Sequence, residues 1–287
     1  MPSGEERSAK LRQFYARYVA AFGSARDPRI EQAFAAVPRE PFAGPGPWSV
    51  PLPKSGYIVT PDDDPAFLYQ DTLIAIDPAR GINIGEPSLH ARCLDALALR
   101  AGETVLHVGA GVGYYTAVLA HLVGSNGHVH AYEIDPGLAA RAERNLAHFP
   151  WVAVHARSGV SDGLPEAGAI YVSAGATHPS KAWLDALDIG GRLLFPLHAT
   201  GGFGGMLLVE RPQAGLSWPA RFVSRAGFIA CQGLQDEAAS PLLAKAFAAR
   251  DISHVTWIEF GPLREPACWH AGNGWWLSKA PDPSGAA

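Results

Sequence analysis

The residues best suited to hold a reactive ligand lie in the run Val105-Leu106-His107-Val108-Gly109-Ala110-Gly111-Val112-Gly113-Tyr114. A short apolar strand feeds a Gly-x-Gly-x-Gly turn, and the turn opens a helix. Glycine suits such a turn because the chain bends tightly and a ligand approaches the backbone closely. The helix start then presents unpaired N–H groups to a polar ligand. One strand–helix–strand unit downstream a second strand ends at Glu133, where a carboxylate can accept both hydroxyls of a ribose. Ile134 follows it. A dinucleotide fingerprint needs its third glycine at position 114, and that position is Tyr114. The spacing fits S-adenosylmethionine instead, which has a ribose and an amino-acid tail but no pyrophosphate. The candidate cofactor residues are therefore Gly109, Ala110, Gly111, Gly113, Glu133 and Ile134.

The flanking pattern supplies the elements that must position this turn. From Pro87 onward the chain alternates helix and strand. Pro87 suits a first helical turn, and Leu89, Cys93, Leu94 and Leu97 mark one face. Thr104–Val108 reads as a strand and Tyr114–Val123 as a helix, with Tyr115, Val118, Leu119 and Leu122 on one stripe. Gly127–Glu133 is a second strand, Leu138, Ala142 and Leu146 stripe the next helix, and Val152–Ala156 and Ala169–Ser173 are strands three and four. Lys181–Leu187 is a short helix. Gly190-Gly191 turns into a fifth strand, Arg192–Pro196, and Gly204–Glu210 is the sixth. Strands alternating with helices of about ten residues predict a parallel, doubly wound sheet.

Upstream, residues 8–22 carry Leu11, Phe14, Tyr15, Tyr18 and Phe22 at helical spacing, and Ile30 to Val37 forms a second helical piece. Residues 41–65 hold seven prolines and an acidic run, which reads as loop or lid. Downstream, residues 236–287 contain a helix-like run, Pro241–Arg250, and a strand-like run, Val255–Phe260. They also hold Trp257, Trp269, Trp275 and Trp276. These tryptophans either line an aromatic pocket or contact, or cover one end of the sheet as core. The last residues, 280–287, are expected to be disordered.

The whole-chain arithmetic bounds the partners. At 287 residues, 48% apolar and 17% charged, the chain can bury a full core. Its formal net charge is −4 with no run of like charges long enough to grip a phosphate backbone, so long nucleic acid is not an expected partner. Three cysteines, Cys93, Cys231 and Cys268, stand far apart and read as buried apolar groups rather than a disulfide or zinc framework. His128 and His130 share one strand face without an evident third ligand, so no metal is predicted. The N-terminus lacks the apolar core of a signal peptide, and no apolar run is long enough to span a bilayer. No membrane association is expected, and the expected setting is a reducing cytoplasm.

Five blocks in order give the chain a family resemblance, from about Arg29 to Leu234. Ala36-Val37-Pro38-Arg39-Glu40-Pro41-Phe42, Tyr69-Gln70-Asp71, Gly81 to Ala91, the glycine turn and Gly190-Gly191-Arg192-Leu193-Leu194-Phe195-Pro196 resemble segments of the protein-L-isoaspartate O-methyltransferase family. The resemblance implies a Rossmann-like fold, S-adenosylmethionine as cofactor, and a carboxylate of an isoaspartyl protein as acceptor. In that family Arg39 and Asp71 would shape the fold or the pocket. Departures fall on the acceptor side. The family's Thr-x-Ser positions read Asn83 and Gly85, with Glu86 beside them, so the hydroxyl expected near the transferred methyl is missing. The family's Gly-Asp-Gly, whose acid would meet the adenine, reads Arg157-Ser158-Gly159, which makes Ser158 or Gly159 the substitute.

Methyl transfer from a sulfonium is an in-line displacement for which the protein mainly positions two reactants. A carboxylate acceptor is already ionised and needs no base, whereas an amine, thiol or phenol would need one. Asn83, Gly85 and Glu86 are the candidate catalytic residues. Glu86 either faces the methyl group, repelling an anion and serving as base for a neutral acceptor, or favours the following helix through its dipole. Asn83 either bonds an acceptor oxygen or holds the turn, and His90 reads as a satisfied structural histidine.

The chain thus reads as an α/β protein with a doubly wound, mostly parallel sheet. It divides into a helical and loop cap (1–86), a cofactor-binding domain (87–235) and a Trp-rich extension packed on it (236–287). The expected activity is S-adenosylmethionine-dependent methylation of a carboxylate. The alternatives are a small-molecule or modified-peptide acceptor, or a non-catalytic cofactor-binding adaptor. Oligomeric state is not legible.

Overall fold

The computed structural model describes residues 4–52, 56–261, 263 and 268–279. The tail 280–287, read above as disordered, lies outside the described residues. The chain forms two compact units. One holds the described residues of Met1–Glu103 and Ala110–Arg157, the other those of Thr104–Gly109 and Ser158–Ala287.

The first unit opens with helices α1 (Gly4–Phe22), α2 (Pro28–Ala36) and α3 (Glu40–Ala43). Asp27 caps α2 by accepting the Arg29 N–H, and Pro28 occupies the first turn. The proline-rich stretch read as loop contains α3 and an antiparallel pair, β1 (Ser49–Pro51) with β2 (Tyr57–Val59). Strands of three residues carry too little alternation to register in a proline-dense sequence. A second antiparallel pair follows, β3 (Ile74–Asp77) with β4 (Ile82–Ile84), and then helix α4 (Pro87–Leu97). After β5 (Thr104–Val108), which belongs to the other unit, come α5 (Tyr114–Val123), β6 (His128–Tyr132), α6 (Pro136–Leu146) and β7 (Val152–His155). Strands β6 and β7 pair in parallel. Helix α5 is buried along nearly its whole circumference apart from His121, as its largely apolar sequence requires.

A buried cation organises the upstream part of this unit. Arg39 is fully buried, and its guanidinium donates to the carbonyls of Leu68, Gln70 and Thr72. The rings of Tyr15 and Tyr114 flank it at 5.5 and 5.6 Å. A planar fork matches several carbonyls at once, and aromatic faces offset part of its desolvation. The loop it holds carries Asp71, whose carboxylate accepts the Ser88 N–H and so caps α4 at 2.8 Å. Both residues thus shape the fold around the acceptor-side segment.

The second unit continues with β8 (Ala167–Val172), α7 (Lys181–Ala186), β9 (Leu187–Leu197), β10 (Gly204–Glu210) and β11 (Ser217–Ala226). Helix α8 (Ser240–Ala249) and the short strands β12 (Trp257–Glu259), β13 (Cys268–Ala271) and β14 (Trp276–Ser278) complete it. Its strands run in the order β13-β14-β12-β11-β10-β9-β8-β5. β5 and β9 flank β8 in parallel, and the pairings from β9 outward through β10 and β11 are antiparallel. β5, β8 and β10 are almost continuously buried, as is β9 from Gly191 onward, which accounts for their apolar runs. Gly190-Gly191, expected as a turn, lies inside β9. Gly190 takes φ +72° and its N–H donates to Arg211 O, so the strand carries through a local irregularity.

The tryptophans of the C-terminal segment are core. Trp269, Trp275 and Trp276 are buried, Trp257 is half-buried, and Trp269 packs 5.5 Å from Phe222 and 5.1 Å from Phe247. Cys93 and Cys231 are buried free thiols, and burial pushes Cys231 up to about 11. No helix among the described residues is long and apolar enough to cross a membrane.

Arg39→Ala should lower the unfolding free energy by about 3–5 kcal/mol, because it strands three carbonyls and leaves a cavity. Arg39→Lys should recover only part, since a point charge cannot reproduce the fork. Urea denaturation of the three proteins measures both differences.

Candidate active site

The glycine turn combines three positions with positive φ and three different surroundings. Gly109 (φ +76°) is close to neighbouring backbone: a methyl group there would lie 3.3 Å from the carbonyl carbon and oxygen of Ser173. Gly113 (φ +92°) abuts helix α6, where the same methyl group would meet Leu146 Cδ1 at 2.8 Å. Gly111 (φ +56°) opens onto empty space, with no heavy atom within 4 Å of an added methyl group. Two of the glycines are therefore required by the packing of the turn, and the third leaves room beside the backbone.

Glu133 fixes this turn within the first unit. Its side chain is buried, Oε2 accepts the Gly111 N–H at 2.7 Å, and Oε1 accepts the Asp135 N–H at 2.9 Å. Bonds from amides to a carboxylate are the stronger kind. Ala110 N–H donates to Tyr132 O and Asn145 Nδ2 donates to Val112 O, so the turn is held from three sides. Each Glu133 oxygen retains acceptor capacity, enough for a pair of vicinal hydroxyls. Ile134 is about half exposed directly beside it. Asp135 joins these residues without having been read as functional. It caps α6 by accepting the Gly137 and Leu138 N–H groups, and it pairs with Arg80 at 2.6 Å. The Asp-Pro pair at 135–136 is the cap signal that marks it.

Ser158 and Gly159 belong to the second unit. Gly159 is buried and its carbonyl accepts the Trp183 indole N–H at 2.8 Å, while Ser158 Oγ accepts the Val160 N–H at 3.3 Å. The pair forms a tied turn.

On the acceptor-side segment the alternatives separate. Asn83 holds the turn, its amide donating to Gly81 O at 2.9 Å. Gly85 has no space for a side chain, since an added methyl group would fall 2.2 Å from His90 Nε2. The His90 ring lies flat on Tyr115, with centroids 3.4 Å apart, and the Tyr115 hydroxyl donates to Gly85 O at 2.6 Å. Glu86 precedes α4 but makes no capping bond. Asp71 does that instead. Burial, followed by the charge of Asp71, pushes the Glu86 carboxyl above its ordinary value. The histidines His130 and His155 meet at 3.1 Å, but among the described residues no three metal-ligating side chains gather.

Comparison with known proteins places these features in a common frame. The family described as protein-L-isoaspartate(D-aspartate) O-methyltransferase matches residues 16–217. The chain is 34% identical over 231 residues to protein-L-isoaspartate O-methyltransferase 2 of Anaeromyxobacter sp. (strain Fw109-5), covering 77% of this chain and 83% of the relative. It is 33% identical over 192 residues to the protein-L-isoaspartate O-methyltransferase of Ignicoccus hospitalis, covering 65% and 82%. Among solved structures, a protein-L-isoaspartate O-methyltransferase superposes with a TM-score of 0.62 at 24% identity, over 79% of this chain and 66% of that one. A putative protein-L-isoaspartate O-methyltransferase from Plasmodium falciparum, in complex with S-adenosyl-L-homocysteine, superposes with 0.59 at 19% identity, over 77% and 98%. The structural likenesses establish the Rossmann-like methyltransferase fold.

A carboxyl whose folded pKa is raised costs stability above that pKa, and the cost vanishes once pH falls below the unfolded value. Glu86→Gln should therefore raise the melting temperature at neutral pH, and the gain should shrink to nothing as pH falls below the ordinary carboxylate range. Thermal denaturation of both proteins across pH 3–8 (roughly the span of the titration) checks the sign.

Proposed function

The chain belongs to the protein-L-isoaspartate O-methyltransferase family and is an S-adenosylmethionine-dependent O-methyltransferase; from that premise we propose that it methylates a carboxylate on a protein or peptide, with the isoaspartyl side chain named by its relatives as acceptor. The observation that carries this reading is the extent of the family match, residues 16–217, which includes both the glycine turn and the acceptor-side segment at 81–91.

The residues present suit the cofactor. Gly111 leaves open space beside a backbone fixed by Glu133, and Glu133 offers a buried, pre-aligned carboxylate to a ribose. Tyr114, buried against Phe42, stands where a dinucleotide site would want glycine. We assign Gly109, Ala110, Gly111 and Gly113 to the amino-acid end, Glu133 and Ile134 to the sugar and base, and, on sequence alone, Ser158 and Gly159 to the adenine. When bound, S-adenosylmethionine supplies a methyl group on a positively charged sulfur, already activated for displacement. The chain's part is to orient the acceptor and exclude water. A carboxylate asks for no general base, so Glu86 is not needed as one. The helical and loop segment 1–86 is assigned as a cap, 87–235 as the cofactor-binding domain and 236–287 as the extension that completes the fold. A cytoplasmic setting suits these free thiols.

A second reading has a specific observation behind it. The 83–86 segment presents no hydroxyl, its asparagine amide is committed to Gly81, and His90 fills the space beside Gly85. That arrangement favours a small molecule or a modified peptide as acceptor.

Gly111→Val should abolish S-adenosylmethionine binding in isothermal calorimetry, with Gly111→Ala intermediate. Circular dichroism should report an unchanged fold for the alanine variant. Full affinity in a folded valine variant sinks the cofactor placement. Incubation of the wild type with labelled cofactor and an isoaspartyl peptide should yield a base-labile methyl ester. Cofactor binding with no ester at saturation turns the choice to the second reading, and no turnover on any acceptor turns it to a non-catalytic binding protein.

A further inference from the structure

We propose that Ser173, set in place by His107, is a hydroxyl donor to the carboxylate of the methyl acceptor. The inference rests on the carboxylate reading above and adds to it a residue that neither the glycine turn nor the 83–86 segment contains.

Strands β5 and β8 are parallel neighbours in the second unit, with His107 opposite Tyr171. Ser173 follows the last residue of β8 and is tied to the end of β5 by its N–H, which donates to Val108 O at 2.8 Å. Its backbone also sets the space available at Gly109, the first residue of the turn. Ser173 therefore stands at the carboxyl ends of two parallel strands, the edge at which open α/β sheets bind their ligands. It is half-buried rather than sealed in the core.

Below it, the run Thr104–Val108 is apolar apart from its first residue and His107. The His107 ring is 1% exposed, stacks against Tyr171 with centroids 5.5 Å apart, and brings Nε2 to 3.2 Å from Ser173 Oγ. A half-exposed serine at a strand end would be satisfied by water alone. Sinking an imidazole into the core beneath it is costly and gains orientation of that hydroxyl. Burial drives the ring's pKa down to about 3, so it is neutral throughout the physiological range. A neutral ring carries one N–H. In the tautomer proposed, that N–H sits on Nε2, so the ring donates to Ser173 Oγ and the serine O–H is left to donate to a ligand oxygen.

That donor suits an ionised acceptor. A neutral hydroxyl orients one oxygen of a carboxylate and leaves the other for attack, without the charge neutralisation that a lysine or arginine would impose. The role is positional throughout: no bond to Ser173 forms, and neither Ser173 nor His107 gives up a proton.

The test uses the full-length protein saturated with S-adenosylhomocysteine, so that acceptor affinity is read without turnover. Wild type should bind an isoaspartyl peptide more tightly than the same peptide with a carboxamide in place of the carboxylate. Ser173→Ala should weaken the carboxylate peptide roughly tenfold or more and leave the carboxamide peptide nearly unchanged. Its affinity for S-adenosylhomocysteine should equal that of wild type. Ser173→Thr should restore the preference. His107→Leu should lose it, and His107→Gln, which keeps a donor beneath the hydroxyl, should retain part. In turnover, Ser173→Ala should raise the acceptor KM more than it lowers kcat. Equal carboxylate affinity in wild type and Ser173→Ala overturns the inference alone, as does a loss confined to S-adenosylhomocysteine, which would make the hydroxyl a cofactor contact. A wild type that binds cofactor but no carboxylate peptide removes the carboxylate reading itself, and this inference with it.

Discussion

The carboxylate of Glu133, gripped by the amides of Gly111 and Asp135, is the interaction from which the candidate site is built. An ionised side chain with little access to water must find donors, and here both are backbone groups flanking the ligand space. One bond fixes the shape of the glycine turn and the other fixes the start of α6, whose Leu146 in turn packs on Gly113. The shape of the turn, the start of a helix and the position of a buried carboxylate thus derive from one residue. Because those bonds form on folding, the carboxylate is held in one orientation, and a ligand bound there would need little further ordering of the protein.

The central strands and helices were legible because their side-chain periods are long and unambiguous. β5, α5 and β10 have the limits that their sequences suggest, and strands β6 to β8 differ by a residue or two at their ends. The short pairs β1–β2 and β3–β4 were not legible, since three or four residues cannot display a period among prolines and aspartates. β11 was missed for a different reason. Its run, Ser217–Ala226, is partly exposed and contains Pro219, so it lacks the apolar continuity of a buried strand. The Gly190-Gly191 pair misled because glycine marks a turn and a strand irregularity equally well.

The local geometry of the candidate site was legible in part. The turn and Glu133 announce themselves by residue type and spacing. The division of labour among Gly109, Gly111 and Gly113 does not, because it depends on which neighbours approach each Cα. Likewise nothing local reveals that Asp71, sixteen residues before Pro87, caps α4 and leaves Glu86 uncapped, or that His90 occupies the volume a side chain at Gly85 would need. Such facts arise from contacts between distant segments, and a single sequence carries no trace of them.

The C-terminal strands bear on what the second unit tolerates. β12 pairs with the outer side of β11, β14 and β13 extend the same ladder, and Trp269 seals it against Phe222 and Phe247. Trimming the chain after α8 would unpair Ser217–Pro219 at the start of β11 and bare the rings of Phe222 and Phe247 where Trp269 covers them. Unpaired strand backbone and exposed rings are both surfaces on which other chains can settle. The described strands past residue 250 therefore complete a hydrophobic layer as well as a ladder, and their loss would leave paired backbone and packed rings without partners at the same place.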